Sequence, residues 1–139
     1  MKEYVCTHLV KSEDMNHHGT LFAGRMAEWF TESSFIAAAS LYGDPGSIVC
    51  VKIHGMKFSK PINKGSILFL RSKVVHVGTT SIAVYTQANI NDDTTVLTEG
   101  YVSFVCVDHE GKKKPHYLTL SEPENETELK QREYAKTLR

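Results

Sequence analysis

Apolar residues fill most positions from Phe22 to Leu41, and Gly43, Asp44, Pro45 and Gly46 follow at once. That pattern predicts a helix over about 22–41, closed by a glycine C-cap and a proline that cannot continue the ladder. A helix apolar on almost every side has to be wrapped by other elements. Before it, Glu3 to Val10 alternates as a strand does, and Lys11 to His18 is a polar loop with Ser12, Asp14 and Asn16 as turn formers. After it come four strand-like stretches, Ser47 to Phe58, Ser66 to Val77, Ser81 to Ile90 and Val96 to Val107. The joints K-P-I-N-K-G, V-G-T-T-S and N-D-D-T-T are short enough for antiparallel neighbours or a meander. From Ser121 onward the chain is rich in Glu, Lys and Gln, acidic early and basic late, as a surface helix favours. The order strand, helix, four strands excludes a doubly wound parallel sheet. The expected architecture is α+β, a long central helix wrapped by a curved antiparallel β-sheet over residues 1–120, with a peripheral C-terminal helix or tail over 121–139.

Composition narrows the function classes. At 139 residues one domain is the default. Lys+Arg and Asp+Glu are both 16, so no global charge draws the chain to nucleic acid or an anionic membrane, and any anionic ligand must be held locally. The start, M-K-E-Y-V-C-T-H, lacks the apolar core of a signal peptide, and no apolar run is long enough to span a bilayer, so a cytoplasmic protein is expected. Cys6, Cys50 and Cys106 lack C-x-x-C spacing and sit among apolar or β-branched neighbours, which suits buried, reduced thiols. Cys6 has His8 on the same side of its strand, a weak pattern for a nucleophile.

Two stripes of the helix carry candidate chemistry. Gly24, Ala27, Thr31, Ser34 and Ala38 form a small-residue stripe that permits close approach. Arg25, Glu28 and Glu32 form a charged one. Either that second stripe is a solvated face whose ion pairs contribute about 0.3 to 0.5 kcal/mol each, or one glutamate is catalytic, its basicity raised by Trp29, Phe30 and Phe35 nearby. In the loop, His17 and His18 suit solvent-facing turn positions and lack the spacing of metal ligands. Asn16 is a turn former whose amide can also hold a water or a carbonyl oxygen.

The segment M-N-H-H-G-T-L-F-A-G-R-M-A-E-W resembles the N-G-T-x-F-G-G segment of hotdog-fold acyl-CoA thioesterases, particularly the bacterial acyl-CoA hydrolase branch. V-K-I-H-G-M-K-F-S-K-P-I-N-K-G-S-I-L is similar to that family's second strand, F-x-x-P turn and third strand. V-G-T-T-S-I-A-V resembles its G-T-T-S hairpin, and F-V-C-V-D-H-E-G-K-K-K-P its last strand. The resemblance implies a homodimer with two sites at the interface, growing to tetramers or hexamers, and a loop Asn facing a helix acid of the other subunit. Asn16 matches the loop position. The acid's position falls on Thr31, and the nearest acid in sequence, Glu32, is rotated from it by about 100°.

The reaction implied is hydrolysis of an acyl-CoA thioester without a metal or redox cofactor. Its carbonyl would take a hydrogen bond from a backbone N–H near Ala23 or Gly24, where a helix start offers free donors. Glu32, with Glu28 as second choice, would be base or nucleophile, Thr31 would orient the water, and Asn16 would position water or carbonyl. Lys57, Lys60, Lys64, Arg71 and Lys73 could form a cationic rim for coenzyme A, with Gly78, Thr79, Thr80 and Ser81 offering amides and hydroxyls, and His17 and His18 near the substrate. Turn lysines and a G-T-T-S turn also have ordinary structural uses. Acyl-CoA sensing and acyl-thioester dehydration, the latter through His17 or His18 with Glu32, are the alternatives, although the dehydratase pattern H-F-P-x-x-P-x-x-P-G is absent.

Overall fold

The computed structural model describes residues 2–91 and 94–138. Its elements are β1 (Tyr4–Leu9), α1 (Ala23–Tyr42), β2 (Ile48–Phe58), β3 (Ile67–Val77), β4 (Ser81–Ile90), β5 (Thr98–Cys106) and α2 (Glu126–Lys136). Predicted element types hold throughout, with α1 shifted by one residue at each end. The five strands form one antiparallel sheet in the order β1-β3-β4-β5-β2.

That order corrects one expectation. The strands on either side of K-P-I-N-K-G are not neighbours, because β2 pairs with β5 at one edge while β3 lies beyond β4. Pro61 cannot donate to a ladder, and the connection instead runs across the end of the sheet. There Leu21 N–H donates to Ile62 O at 2.8 Å, and Ser59 N–H to Leu97 O at 2.9 Å. This crossing sets the turn after β2 beside the start of α1. Of the N-D-D-T-T turn, Asp92 and Asp93 lie outside the described residues.

Period-2 patterning gives the sheet two dressed faces. On the concave face Leu68, Leu70, Val84, Val102 and Phe104 bury against Met26, Phe30, Ala37 and Ala38 of α1. On the convex face Val75, Ala83 and Tyr85 meet Ala135 of α2. Asn125 caps α2, accepting from Glu128 N–H at 2.9 Å, and the buried Glu128 carboxylate meets Arg132 at 2.9 Å. Desolvation and Glu99 push the Tyr101 hydroxyl, beside Tyr134 on this face, up to about 12.

The helix is covered on one side only. Glu28, Glu32, Ile36 and Ser40 form an exposed outer face in the single chain, so wrapping by the sheet is less complete than the apolar pattern suggests. Cys106 is buried and Cys6 half-buried, but Cys50 is exposed on the edge strand β2, contrary to the expectation of a buried thiol. No helix among the described residues is long and apolar enough to cross a membrane.

Candidate active site

Asn16 builds the loop before α1. Its Oδ1 accepts from the backbone N–H of His18 at 2.9 Å and of Thr20 at 3.2 Å, while Nδ2 donates to Thr20 Oγ1 at 3.2 Å. Its backbone N–H donates to Thr20 O at 2.7 Å, and Gly19 turns the chain at φ +80°. Asn is suited to this because one short side chain both accepts from and donates to the adjacent backbone. The turn role expected for Asn16 is therefore real, and it also places the amide at the mouth of a cavity.

That cavity, of about 260 Å³, is lined by Asn16 and Thr20 of the loop, Ala23 and Met26 of the first turn of α1, and Phe58 and Lys60 from the end of β2. Three segments far apart in sequence thus converge on the helix N-terminus. Phe22 provides α1 with no side-chain cap, and with Phe22 N–H given to Asp14 O at 2.9 Å and Arg25 N–H to Phe22 O at 3.0 Å, the Ala23 and Gly24 amides are the first-turn donors for an incoming oxygen. Gly24 keeps the approach narrow but open: a Cβ there would fall 2.5 Å from the Phe22 ring, which is 55% exposed.

Sequence patterning missed the residue that anchors this corner. Asp14 is buried, with Oδ2 accepting from Lys11 N–H at 2.9 Å and Oδ1 paired with Arg25 Nε at 3.2 Å. Arg25 also reaches Glu28 at 3.4 Å. A cation in the first turn opposes the helix dipole, and the buried carboxylate offsets it. The available signal was an Asp two residues before the loop Asn with an Arg just inside the helix.

Contacts of successive α1 residues fix which way its flanks point. Trp29 stacks on His8 of β1 at 4.3 Å, Ser34 Oγ meets Thr86 Oγ1 of β4 at 2.7 Å, and Phe35 packs on Phe104 of β5 at 6.0 Å. At 100° per residue, Gly24, Ala27 and Thr31 then face the β5 and β2 side. Thr31 Oγ1 donates to Ala27 O at 2.8 Å, so the hydroxyl oxygen is left as an acceptor. Because α1 is unbroken, Glu28 lies 60° from Thr31 as its i, i+3 neighbour, whereas Glu32 lies about 100° away. Both glutamates are exposed, and neither lines the cavity that Asn16 lines.

The remaining candidates are scattered. Lys60 lines the cavity, while Lys57 and Lys64 are exposed at the β2 end and in the following turn. Arg71 and Lys73 alternate with the concave-facing residues of β3, which puts them on the other face of the sheet, and Arg71 pairs there with Glu3 at 3.2 Å. The Gly78 to Ser81 hairpin closes the far end of β3. Thr80 O accepts from Cys106 N–H at 2.8 Å, Thr79 O from His116 N–H at 3.2 Å, and Ser81 O from His116 Nε2 at 2.9 Å. His17 and His18 are exposed with ring centroids 3.9 Å apart. Among the described residues no cluster of three or more His, Cys, Asp and Glu side chains could hold a metal ion.

The family model of the thioesterase superfamily matches residues 18–97, from the loop through the last turn of the sheet. The chain belongs to this superfamily. Among thioesterase relatives, the acyl-CoA thioester hydrolase YciA of Salmonella typhimurium is 28% identical over 122 residues, covering 81% of this chain and 89% of the relative. The acyl-CoA hydrolase of Staphylococcus aureus, solved with butyryl coenzyme A, coenzyme A and coenzyme A disulfide, superposes with a TM-score of 0.83 at 30% identity over 96% of this chain and 79% of that one. A hexameric hotdog-fold thioesterase of Campylobacter jejuni matches with a TM-score of 0.70 at 29% identity, over 79% of this chain and 86% of that one. The fold is a hotdog, as the sequence resemblance implied.

Proposed function

We propose that this protein hydrolyses the thioester of an acyl-CoA to a free acid and coenzyme A, at a site completed by a second copy of the chain. The observation that carries this reading is the convergence of the Asn16 loop, the uncapped first turn of α1 and Lys60 on one cavity, in a chain of the thioesterase superfamily. The carbonyl oxygen accepts from the Ala23 or Gly24 amide, a preorganised contact that in acyl transfer contributes a few kcal/mol to barrier lowering. Lys60, on the cavity lining, attracts coenzyme A phosphates at the rim.

A second copy supplies what one chain lacks. β2 is an edge strand exposing Val49, Val51 and Ile53, an unpaired row of backbone donors and acceptors with apolar side chains. Antiparallel pairing of β2 with its copy continues the sheet and sets the Asn16 end of one chain beside the middle of α1 and the Gly78 to Ser81 end of the other. The relatives' hexameric assemblies accord with such a unit.

The base is then a glutamate of the partner's α1. Sequence proximity pointed to Glu32, whereas helix phase gives Glu28 the shorter arc to the Thr31 flank. The carboxylate takes a proton from water as the water oxygen attacks the carbonyl, and the collapsing adduct releases the coenzyme A thiolate, which takes up the proton. Thr31, its own proton committed to Ala27 O, accepts from that water.

Thiol release from short-, medium- and long-chain acyl-CoAs tests the proposal on wild type, Asn16→Ala, Glu28→Gln and Glu32→Gln. Wild type releases thiol, and Glu28→Gln loses more activity than Glu32→Gln. Loss confined to Glu32→Gln reassigns the base and leaves the hydrolysis intact. An inactive wild type that still binds acyl-CoA overturns hydrolysis in favour of a sensor, and loss of water from a 3-hydroxyacyl thioester without free thiol identifies a dehydratase.

A further inference from the structure

The convex face carries a second cavity that hydrolysis does not use. Strand register aligns His76 of β3 with Ala83 of β4, Ala83 with Ser103 of β5, and Ser103 with Lys52 of β2. With strands about 4.8 Å apart, this row crosses about 14 Å of sheet. Ala83 projects only a methyl group, so the middle of the row is a trough. The end of α2, through Ala135, Lys136 and Leu138, forms its wall, and the enclosed volume is about 280 Å³.

The lining divides by chemistry. Its polar groups are His76, Ser81, Ser103 and Lys136, while Ile82, Ala83, Ala135 and Leu138 are apolar, and no carboxylate is among the described lining residues. His54 on β2 adds a second imidazole, sharing a 2.7 Å hydrogen bond between its Nε2 and Ser103 Oγ. Two imidazoles, an ammonium and two hydroxyls with no carboxylate suit an oxyanion. A volume several times that of a phosphate group, with apolar walls, suits an organic substituent beside it.

We propose that this trough binds a small phosphomonoester, its phosphate between His76, Ser103 and Lys136 and its organic part against Ala83, Ala135 and Leu138. Binding is coupled to protons. In the free protein burial, and then Lys52, holds the His54 imidazole below its ordinary range; burial, and then Lys136, does the same for His76. An anion among these cations favours the protonated imidazoles. Once His54 carries a proton on Nε2, that N–H donates to Ser103 Oγ, which frees the Ser103 O–H to donate to the phosphate. Each imidazole takes up one proton from solvent, and no bond between heavy atoms changes. The other charged groups around His76, Glu122, Glu133 and Arg132, line the cavity on its opposite side.

Imidazole nitrogen NMR on the full chain tests this, with inorganic phosphate and phenyl phosphate as probes against chloride at equal ionic strength. Signals of His54 and His76 move along one saturating curve, phenyl phosphate binds more tightly than inorganic phosphate, and affinity rises as pH falls from about 7.5 to about 6. Lys136→Ala and Ser103→Ala each weaken phenyl phosphate about tenfold. Non-saturating shifts, or equal shifts in chloride, show an adventitious ion only and overturn the proposal. So do wild-type affinities in both variants, or probe shifts confined to His17 and His18. Thiol release is not the readout, so failure here leaves the hydrolase reading standing, and the reverse holds.

Discussion

The two flanks of α1 are built differently. Toward β1, Trp29 lies flat on His8 with 9° between ring planes, so that flank is sealed by the chain's own side chains. Toward β2, Gly24, Ala27 and Thr31 present small groups beside an edge strand with an exposed apolar row. A sealed flank contributes to stability whether or not a partner is present. On the proposed reading, an open flank of small residues next to the helix start is the half of a site that a second copy completes. Mutations on the first should therefore change folding and spare per-molecule chemistry, and mutations on the second should do the reverse.

The largest expected effect is on the open side. Asn16→Ala removes the amide at the cavity mouth and loses about 10²-fold in kcat/KM, the usual scale for one preorganised polar group. Because Asn16 also holds the turn, unfolding in urea should show a cost of about 1 kcal/mol. A comparable loss of stability with full kcat/KM reduces Asn16 to a turn former and breaks the contrast.

Val51→Arg follows. Placing a guanidinium on the half-exposed edge row blocks sheet extension while leaving the chain's own core untouched. Sedimentation should show monomers, with activity down by tens of fold and a native circular dichroism spectrum, the scale of losing one contributing subunit. Monomers with full activity would mean that a single chain holds a complete site.

On the sealed flank, Trp29→Ala should lower stability by about 2 kcal/mol, less than a fully buried aromatic because Trp29 is only half-buried. Its kcat per folded molecule should stay within about twofold of wild type. Thr86→Val probes the floor between the flanks. Ser34 Oγ donates to Phe30 O and therefore accepts from the Thr86 hydroxyl, which accepts from Ser72, all three groups being fully buried. Valine keeps the shape and leaves the Ser72 hydroxyl without its acceptor, a cost of about 1 to 3 kcal/mol in urea unfolding.

This relay shows what the sequence conceals. The helix and strands were legible because period-3.6 and period-2 patterning is local, and Gly43 with Pro45 marked the helix end. Of the site, Asn16 and Gly24 were legible from a resembling motif. Three features depend on which distant segments meet, and spacing does not report that. The first is strand order, where Pro61 sends the chain across the sheet end. The second is the buried Asp14 to Arg25 pair, and the third is the row from His76 to Lys52. Helix phase shows the same limit from the other direction. Glu32 adjoins Thr31 in sequence, yet adjacent helical residues do not face one another, and Glu28 is its neighbour in space.

The smallest effect separates two lysines that sequence treats alike. Lys60 lines the cavity and Lys57 does not, although both flank the same turn. If the rim holds coenzyme A phosphates, Lys60→Ala should raise KM several-fold with little change in kcat, because uniform binding is lost rather than transition-state binding. The increase should shrink as salt is raised toward about 0.5 M, where the charge is screened in wild type as well. Lys57→Ala should stay within about twofold, since an exposed strand-end lysine chiefly keeps an edge soluble. Equal, salt-sensitive increases for the two would spread the rim along the strand end, and the phosphates would then lie outside the cavity with only the pantetheine arm entering it.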